Sequence, residues 1–317
     1  MSETTPNPLF RSGRVALVGQ PNAGKSTLMN RLLGQKLAIT SAKPQTTRHR
    51  LAGVYTDDRV QLELVDTPGI HESWTELNKV MVDRALSALS DADVACWLGD
   101  MAVLGHRAKA GEPVLDPTDE HIAAALVASK RKVVFIANKI DVVNHALTLP
   151  VIDAIQTRVP IEAAIPLSAL TGDGIPELVK LLTSLVPVGP AQHDPDAWTT
   201  IPEKFLVSEM IREKVFHLTE QEIPYITHVE IVQFDESERE TREFVRILAD
   251  VIVERPSQKA IIIGKGGEML KRIGTLARKE IQEMLGCRVH LELFVKVERD
   301  WTRTQSGLRR VGFGDPR

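Results

Sequence analysis

Cysteine is nearly absent from this sequence, since Cys96 and Cys287 are its only two copies in 317 residues. They lie far apart and neither has metal-ligand spacing, so the sequence argues against a disulfide framework and predicts two small buried thiols in a reducing cytosol. No apolar run is long enough to span a bilayer. Residues 1–12 are polar, contain prolines and lack an apolar core, so we predict no signal peptide.

A strong overall charge is also lacking, because the formal net charge is only −3. The charge is nevertheless uneven. From Arg255 to Arg317 there are 14 Lys and Arg against 7 Asp and Glu, whereas the remainder has 25 against 35. A basic C-terminal region on an acidic body fits a polyanionic partner at that end, and it equally fits a solvated face without a partner. The chain length predicts about two domains.

The first stretch that carries chemistry follows the apolar run Val15–Val18, which predicts a buried strand. The stretch fits Gly-x4-Gly-Lys-Ser/Thr and precedes Leu28–Leu33, the predicted start of a helix. Glycines in this setting let backbone N–H groups point inward, and the helix N-terminus adds positive potential, so the pattern predicts a phosphate site. Lys25 is expected to reach the β- and γ-phosphates and the Ser26 hydroxyl to bind Mg²⁺. The predicted nucleotide contacts are Gly19, Gln20, Pro21, Asn22, Ala23, Gly24, Lys25, Ser26 and Thr27.

A second predicted part of this site follows two short strand-like runs, Leu51–Thr56 and Val60–Val65, which predict a hairpin. An aspartate directly after a buried strand, beside a phosphate loop, is placed to hold Mg²⁺ through water. A glycine three residues later lets a backbone N–H approach a γ-phosphate without a Cβ in the way. We therefore add Asp66, Thr67, Pro68 and Gly69 to the nucleotide-binding residues.

A third motif indicates which base is bound. Asn138-Lys139-Ile140-Asp141 follows the apolar strand Val133–Ala137, at the edge where ligands bind in open parallel α/β sheets. The Asp141 carboxylate can accept from N1–H and N2–H₂ of guanine, a match that adenine cannot supply. Asn138 and Lys139 are expected to bond the ring edge and to lay an aliphatic stem over the base. The motif therefore predicts a guanine nucleotide and disfavours an ATP-using kinase or motor.

Two further segments complete the N-terminal half. Ala164–Leu167 predicts a strand, and the backbone N–H groups after it, in Ser168, Ala169 and Leu170, are expected to meet guanine O6. Gly99–Pro117 has no periodicity and predicts a surface loop, to which we assign no role. The next helix is predicted over about 118–129 with Thr118 as its N-cap.

The C-terminal half begins after a proline-rich stretch, Pro187–Pro202, that predicts a linker. The pattern from Glu203 predicts a helix, two strands, a helix, a Gly-Lys-Gly-Gly tetrapeptide at 264–267, a long amphipathic helix over Glu268–Leu285 and a last strand. This is the order of a type II KH fold, whose tetrapeptide clamps the backbone of about four single-stranded nucleotides. The glycines allow phosphates to approach, and the N-terminus of the next helix adds positive potential.

The predicted RNA contacts surround this tetrapeptide. They are Ile263, Gly264, Lys265, Gly266, Gly267, Lys271 and Arg272. Ile261, Ile262 and Ile273 are expected to form a floor against which bases pack. The basic tail, residues 299–317, contains Trp301 and Phe313 and is interpreted either as a disordered RNA-contacting arm or as a frayed end.

With these motifs in this order, the chain resembles the translation-factor-like class of GTPases and, more closely, the Era family of bacterial GTPases with an appended KH domain. The resemblance covers nearly the whole chain and also includes Lys43–Arg50. It implies an α/β P-loop GTPase domain, with a mostly parallel sheet and helices on both faces, followed by an α+β type II KH domain. Trp97-Leu98-Gly99-Asp100 departs from the family's usual Val-Asp ending.

Several catalytic roles are implied by the resemblance. Thr47 would be the switch-I threonine that meets Mg²⁺ and the γ-phosphate, so the metal set is Ser26, Thr47 and Asp66. Ras-like enzymes orient the attacking water with a glutamine that is replaced here by Ile70. Related GTPases hold K⁺ with a phosphate-loop asparagine that Asn22 matches, and the alternative is that Asn22 makes only local loop bonds. The candidate catalytic residues are Asn22, Lys25 and Thr47.

The predicted organisation is an N-terminal extension (1–12), a GTPase domain (13–186), a linker (187–202), a KH domain (203–298) and a basic tail (299–317). The resemblance implies a monomeric, GTP-hydrolysing switch that binds the 3′ end of 16S rRNA and acts in small ribosomal subunit assembly. It would lie in the cytoplasm or peripherally at the inner face of the cell membrane. The alternative is a GTPase whose C-terminal domain docks a protein or a membrane surface.

Overall fold

The structure is a computed structural model that describes residues 9–41, 43, 46–69, 76–311 and 313. Its internal contacts divide the chain into two units: among the described residues, Glu76, Leu77 and everything from Ile201 onward belong to the second unit, and the rest belongs to the first. None of the helices in the described ranges is long and apolar enough to cross a membrane.

The first unit is built on a six-stranded, mostly parallel sheet. Its strands are β1 (Arg11–Gly19), β2 (Leu51–Thr56), β3 (Val60–Asp66), β4 (Val94–Asp100), β5 (Lys132–Asn138) and β6 (Ala163–Leu167). They are ordered β2-β3-β1-β4-β5-β6. β2 and β3 pair antiparallel, which confirms the predicted hairpin, and the other neighbours pair in parallel.

Helices cover both faces of this sheet. They are α1 (Lys25–Leu33), α2 (Glu76–Asp91), α3 (Met101–Ala110), α4 (Pro117–Ser129), α5 (Thr148–Gln156) and α6 (Ile175–Leu185). On one face, Ala16, Trp97 and Phe135 pack with residues of α2 to α5. Helices α1 and α6 take no part in that cluster and contact β1, β2, β3 and β6. Because both faces are covered, β4 and β5 are buried along nearly their whole length, and Cys96 is a fully buried thiol as predicted.

The predicted loop over Gly99–Pro117 is wrong, because ten of its residues form α3. The Asp100 carboxylate caps this helix by accepting from the Ala102 N–H at 3.0 Å. Met101 and Leu104 are buried on the inner side of the helix. The predicted N-cap Thr118 is also wrong, because α4 begins one residue earlier, after Asp116. Asp116 and Asp119 form a reciprocal capping box with a proline at the first helical position.

The proline-rich segment 187–200 follows the first unit closely. Val188 bridges to Arg11, and Thr199 bridges to Gly53. The Gln61 side chain accepts from the N–H groups of Gln192 and His193 at 2.7 and 2.8 Å and donates to the His193 carbonyl at 3.0 Å. These hydrogen bonds, rather than periodic apolar contacts, hold the segment in place.

The second unit is a three-stranded mixed sheet with helices on one face. Its elements are α7 (Glu203–Leu218), α8 (Ile223–Ile226), β7 (His228–Asp235), α9 (Arg239–Arg242), β8 (Phe244–Val253), α10 (Pro256–Ile263), α11 (Glu268–Leu285), β9 (Arg288–Val297) and α12 (Gln305–Arg310). β8 lies in the middle, antiparallel to β7 and parallel to β9. Inward residues of the sheet form a core with α7, α10 and α11. The predicted type II KH order is confirmed.

The C-terminal tail is neither an arm nor a frayed end over its described part. Trp301 and Phe313 are fully buried, and α12 lies between them. The Trp301 indole donates to the Ile226 carbonyl at 2.9 Å, and its ring lies 5.8 Å from that of His228. Thr302 donates to the Glu254 carboxylate through both its N–H and its hydroxyl. The sequence did not predict this burial, because the tail is mostly basic and its few apolar residues follow no helical period.

Replacing Trp301 with Ala should destabilise the second unit, because a fully buried indole and its hydrogen bond are lost together. The expected loss is about 3–5 kcal/mol. Calorimetry of the full chain should place the unfolding transition of this unit at a clearly lower temperature. Arg303→Ala, at an exposed neighbour, should change stability by less than about 0.5 kcal/mol. An unshifted transition in Trp301→Ala would contradict the burial of the tail.

Candidate functional site

The predicted nucleotide residues lie at the carboxyl edge of the parallel strands. Gly19 ends β1 beside Leu98 of β4, and Asp66 ends β3 beside Leu17. Asn138 ends β5, where it pairs in register with Asp100 on one side and Leu167 on the other. Because parallel strands have their carboxyl ends at the same edge of a sheet, residues that are far apart in sequence come together there.

The phosphate loop connects β1 to the N-terminus of α1. Gly24 has a φ of 98° and Asn22 a φ of 63°, and these left-handed residues bend the chain around the helix terminus. The buried Lys25 ammonium donates to the carbonyls of Gly19 and Gln20 at 3.1 and 2.9 Å. Burial lowers the pKa of Lys25 to about 8, although the Asp66 carboxylate opposes this. A phosphate placed here would supply negative charge to a buried cation.

The Asn138 side chain ties this loop to the loop after β6. Its Nδ2 donates to the Ala23 carbonyl at 2.7 Å, and its Oδ1 accepts from the Ala169 N–H at 2.9 Å. A Cβ at Gly24 would lie 2.2 Å from that Nδ2, so the glycine is required by the tie as well as by its φ. The amide of Asn138 is therefore engaged with protein at both ends.

This tie changes two predicted base contacts. Asn138 was expected to bond the ring edge, whereas the structure uses its side chain to hold two loops together. Ala169 was expected to offer its N–H to guanine O6, and that N–H points at Asn138. Ser168 is buried and its hydroxyl accepts from the Thr171 N–H at 3.1 Å, while Leu170 is exposed.

The three predicted metal residues are brought together. The Ser26 hydroxyl donates to Asp66 Oδ2 at 2.7 Å, the Thr47 hydroxyl does so at 3.0 Å, and the two hydroxyl oxygens are 2.9 Å apart. All three side chains are buried. Burial raises the pKa of Asp66, against the opposing effect of Lys25 and of these hydrogen bonds.

The same cluster fits Mg²⁺. Asp66 Oδ1 is a buried carboxylate oxygen without a hydrogen-bond partner among the described residues. Mg²⁺ prefers a few protein oxygens together with waters and substrate phosphates, and two hydroxyls and a carboxylate meet that preference. Nowhere in the described ranges do three His, Cys, Asp or Glu side chains form a cluster that could hold a metal alone. The site thus suits a cation that arrives with a nucleotide.

The segment after β3 approaches the phosphate loop closely. The Thr67 hydroxyl donates to the Leu17 carbonyl at 2.8 Å. A Cβ at Gly69 would lie 2.7 Å from the Pro21 nitrogen, so only glycine fits there, and Pro68 connects the two. Ile70, which stands where Ras-like enzymes have the water-orienting glutamine, lies outside the described residues.

The guanine motif contributes Lys139 to the same pocket. Lys139 has a φ of 69° and lines the pocket together with phosphate-loop residues, Thr27 and Thr47. Its ammonium pairs with Asp100 Oδ2 at 2.6 Å. Asp141 follows in a short 3-10 turn, Ile140–Val142, with an exposed side chain.

Sequence reasoning missed the link between the α3 region and the phosphate loop. The Gln20 amide donates to Asp116 Oδ1 at 2.9 Å, and Arg107 pairs with Asp116 at 2.8 Å. The signal that was missed is helix capping, because Asp100 and Asp116 each cap a helix and each also bonds a residue of the nucleotide motifs, Lys139 and Gln20 respectively.

The second predicted site lies at the junction of α10 and α11. Gly264 ends α10 with a φ of 73°, and a Cβ there would lie 2.7 Å from that of Met269. Gly266 and Gly267 have φ values of 61° and 83° and lead into the N-terminus of α11. The side chain of Lys265 is exposed at the tip.

The surroundings of this tetrapeptide are basic. Lys271 and Arg272 are exposed on the first turns of α11, and Ile263 is partly buried. The predicted apolar floor is wrong in two of its three members, because Ile262 and Ile273 are fully buried in the core, whereas Ile261 is half exposed.

Comparison with known proteins identifies the same two domains, a GTPase domain and a KH domain. A family model described as a 50S ribosome-binding GTPase matches residues 14–139, and a KH-domain model matches residues 222–302. GTPase Era of Geobacter metallireducens is 44% identical over 304 residues, which cover 96% of this chain and 98% of that protein. GTPase Era of Geobacter sp. strain M21 is 45% identical over 306 residues, with the same coverage.

Two solved structures are similar over the same extent. One is a variant of Aquifex aeolicus Era bound to GDP and AlF4⁻, with a TM-score of 0.87. The other is Era in complex with MgGDPNP and nucleotides 1506–1542 of 16S ribosomal RNA, with a TM-score of 0.86. Each is 37% identical and covers 96% of this chain and 100% of its own.

The fold and its two sites define a P-loop GTPase that carries a type II KH domain. The two Era relatives align over 96% of this chain at 44% and 45% identity, which narrows this class to one family. The chain belongs to the Era family of GTPases, enzymes that hydrolyse GTP to GDP and phosphate.

Asn138→Ala should weaken nucleotide binding and lower the stability of the first unit. The substitution leaves the Ala23 carbonyl and the Ala169 N–H without their partner, at a cost of about 1–3 kcal/mol for each group. The melting temperature and the Kd for GDP measure the two effects. Asn144→Ala is the matched control, because Asn144 is exposed and only caps a short turn. A wild-type Kd in Asn138→Ala would argue against the tie.

Proposed function

We propose that the chain binds GTP and GDP in the pocket at the carboxyl edge of the first sheet, together with Mg²⁺. Lys25 and the N–H groups of the phosphate loop hold the β- and γ-phosphates. Ser26, Thr47 and Asp66 hold Mg²⁺, which when bound neutralises charge between the phosphates. The observation that carries this proposal is the meeting of these three side chains, in which both hydroxyls bond Asp66 Oδ2 while Oδ1 has no hydrogen-bond partner among the described residues. The binding of MgGDPNP by a solved Era supports it.

Guanine selectivity is assigned to Asp141. Its carboxylate is exposed beside the pocket-lining Lys139 and is held in a short turn directly after β5. Two acceptor oxygens match the N1–H and N2–H₂ donors of guanine.

Asp141→Asn should exchange the preferred base. The amide presents one donor and one acceptor, which suits the 2-oxo group of xanthine, so the preference for GTP over xanthosine triphosphate should fall by at least about a hundredfold. Competition binding with both nucleotides measures it. Asp153→Asn, an exposed carboxylate on α5, should leave the preference unchanged. An unchanged preference in Asp141→Asn would remove the assignment.

This chain has Ile70 where Ras-like enzymes have a water-orienting glutamine. Another group must therefore stabilise the transition state of hydrolysis. We assign this role to a K⁺ ion held with the help of Asn22. Asn22 is exposed on the phosphate loop and has a left-handed backbone, with a φ of 63°. A monovalent cation near the β- and γ-phosphates would act on the charge that develops there.

Hydrolysis should be faster in K⁺ than in Na⁺ at equal ionic strength, by about tenfold or more. The reason is that the proposed K⁺ ion at Asn22 would place a positive charge beside the β- and γ-phosphates in the transition state, and we propose that Na⁺ does not replace it there. Phosphate release measures the rate, and Asn22→Ala should abolish the difference between the ions. Equal wild-type rates in both salts would leave Asn22 with only local loop bonds.

The C-terminal unit is proposed to bind single-stranded RNA at Gly264–Gly267, with the 3′ end of 16S rRNA as its target. Its support is an exposed lysine at a glycine turn, placed at the N-terminus of α11 and followed by exposed Lys271 and Arg272. The solved Era complex with nucleotides 1506–1542 of 16S rRNA supports the choice of RNA.

This function places the protein in small ribosomal subunit assembly as a monomeric, GTP-controlled switch in the cytoplasm, with peripheral membrane contact as a further property. The competing proposal is a C-terminal unit that docks a protein or a membrane surface. A gel shift with an oligonucleotide of the 16S rRNA 3′ end at low salt separates them, because phosphate contacts are strongest there.

Changing Lys265 and Gly266 together to Asp should reduce RNA affinity by at least about tenfold, roughly 1.4 kcal/mol. Two carboxylates would then repel the phosphates that pass the turn. Since Gly266 has a positive φ, any side chain there adds strain, so the matched control changes both residues to Asn. The Asn pair has the same shape and strain without the repulsion.

The Asn pair should bind RNA more tightly than the Asp pair, and both should keep wild-type affinity for GDP. Reversing the charge of Lys180, an exposed residue on α6, should change RNA affinity little. Wild-type RNA affinity in the Asp pair would overturn the KH assignment.

A further inference from the structure

Asp100 is an aspartate at the end of β4 that the guanine motif does not contain. Its Oδ2 lies 2.6 Å from the Nζ of Lys139. The two side chains are only 18% and 34% exposed, so the pair is partly shielded from water. Asp100 is in register with Asn138, the residue before Lys139, which brings the carboxylate beside the lysine.

The direction of the Asp100 carboxylate is itself fixed. Its Oδ1 accepts from the Ala102 N–H at 3.0 Å and caps α3, while its Oδ2 accepts from Lys139. Met101 and Leu104 of α3 are buried against the sheet, so the helix does not rotate freely. One carboxylate thus joins a rigid helix to a pocket-lining lysine.

Lys139 needs such a partner for two reasons. Its φ of 69° lies in the left-handed region, which is unfavourable for a side chain with a Cβ. Its stem also has several rotatable bonds, and ordering a mobile lysine on binding a ligand costs free energy. The ion pair orders the side chain before the nucleotide arrives.

We propose that Asp100 is a positioning residue for guanine nucleotide binding, which acts by holding Lys139 along the base-binding side of the pocket. This inference rests on the proposed function, because it takes Lys139 as a contact of the base. It gives the α3 region a role, since the helix fixes the carboxylate that fixes the lysine.

The experiment separates positioning from capping. Asn caps helices about as well as Asp but cannot form the ion pair, so Asp100→Asn retains α3 and removes the charge interaction. Its melting temperature should stay close to wild type, whereas Asp100→Ala should melt lower. With fluorescent GDP as the probe, Asp100→Asn should raise Kd about fivefold, the scale of a partly exposed ion pair.

A double-mutant cycle with Lys139→Ala tests whether Asp100 acts on nucleotide binding through Lys139. Lys139→Ala should raise Kd at least as much as Asp100→Asn, and adding Asp100→Asn to it should raise Kd no further. Asp57→Asn is the matched control, because Asp57 likewise accepts from backbone N–H groups and pairs with a cation, Arg59, but in the β2–β3 turn. Its Kd should equal that of wild type.

Two results would overturn the inference alone. In the first, Lys139→Ala weakens binding and Asp100→Asn does not, so Asp100 is only a helix cap. In the second, the two effects multiply in the double variant, so Asp100 acts by another route. If Lys139→Ala leaves Kd unchanged, the proposed base contact of Lys139 fails and this inference fails with it.

Discussion

The nucleotide site depends on one buried carboxylate at the end of a strand. Asp66 is fully buried, yet one of its oxygens accepts two hydroxyl hydrogen bonds and the other has no partner among the described residues. Burying such a charge is costly unless a cation accompanies it. Lys25 supplies part of this compensation, and in the proposed function a metal that arrives with the nucleotide would supply the rest. Asp66 also holds the Ser26 and Thr47 hydroxyls together, 2.9 Å apart, where the proposed metal would need them.

Both proposed sites use the same physical device. A helix N-terminus is approached through residues with positive φ, which expose backbone N–H groups and leave space for phosphates. Gly24 precedes α1, and Gly267 precedes α11. They differ in what surrounds them. The first is a pocket bordered by the loops that Asn138 ties together, and so suits one small ligand, whereas the second is an exposed turn beside basic residues and suits a long polyanion.

The sequence alone was enough to predict those parts of the two sites whose residues are neighbours in the chain. The phosphate loop, Asp66 and the Gly-Lys-Gly-Gly turn are recognisable because spacing and flanking strands or helices define them, and the structure places each at the expected end of its element. Helix α3 was missed because its apolar side is narrow and glycines bound and interrupt it, so its stability comes from capping and tertiary contacts. The burial of Trp301 and the double use of Asn138 depend on partners 31 to 115 positions away in the sequence, which no local pattern reveals.

The proposed function requires that the KH turn of the GTP-loaded enzyme binds one region of ribosomal RNA. The most direct measurement is sequencing of RNA crosslinked to the purified protein bound to GDPNP and Mg²⁺, with total cellular RNA as the input. We expect strong enrichment of the 3′ end of 16S rRNA, with crosslinked peptides that contain Lys265. Even coverage of all RNAs, or crosslinks confined to the first unit, would contradict it.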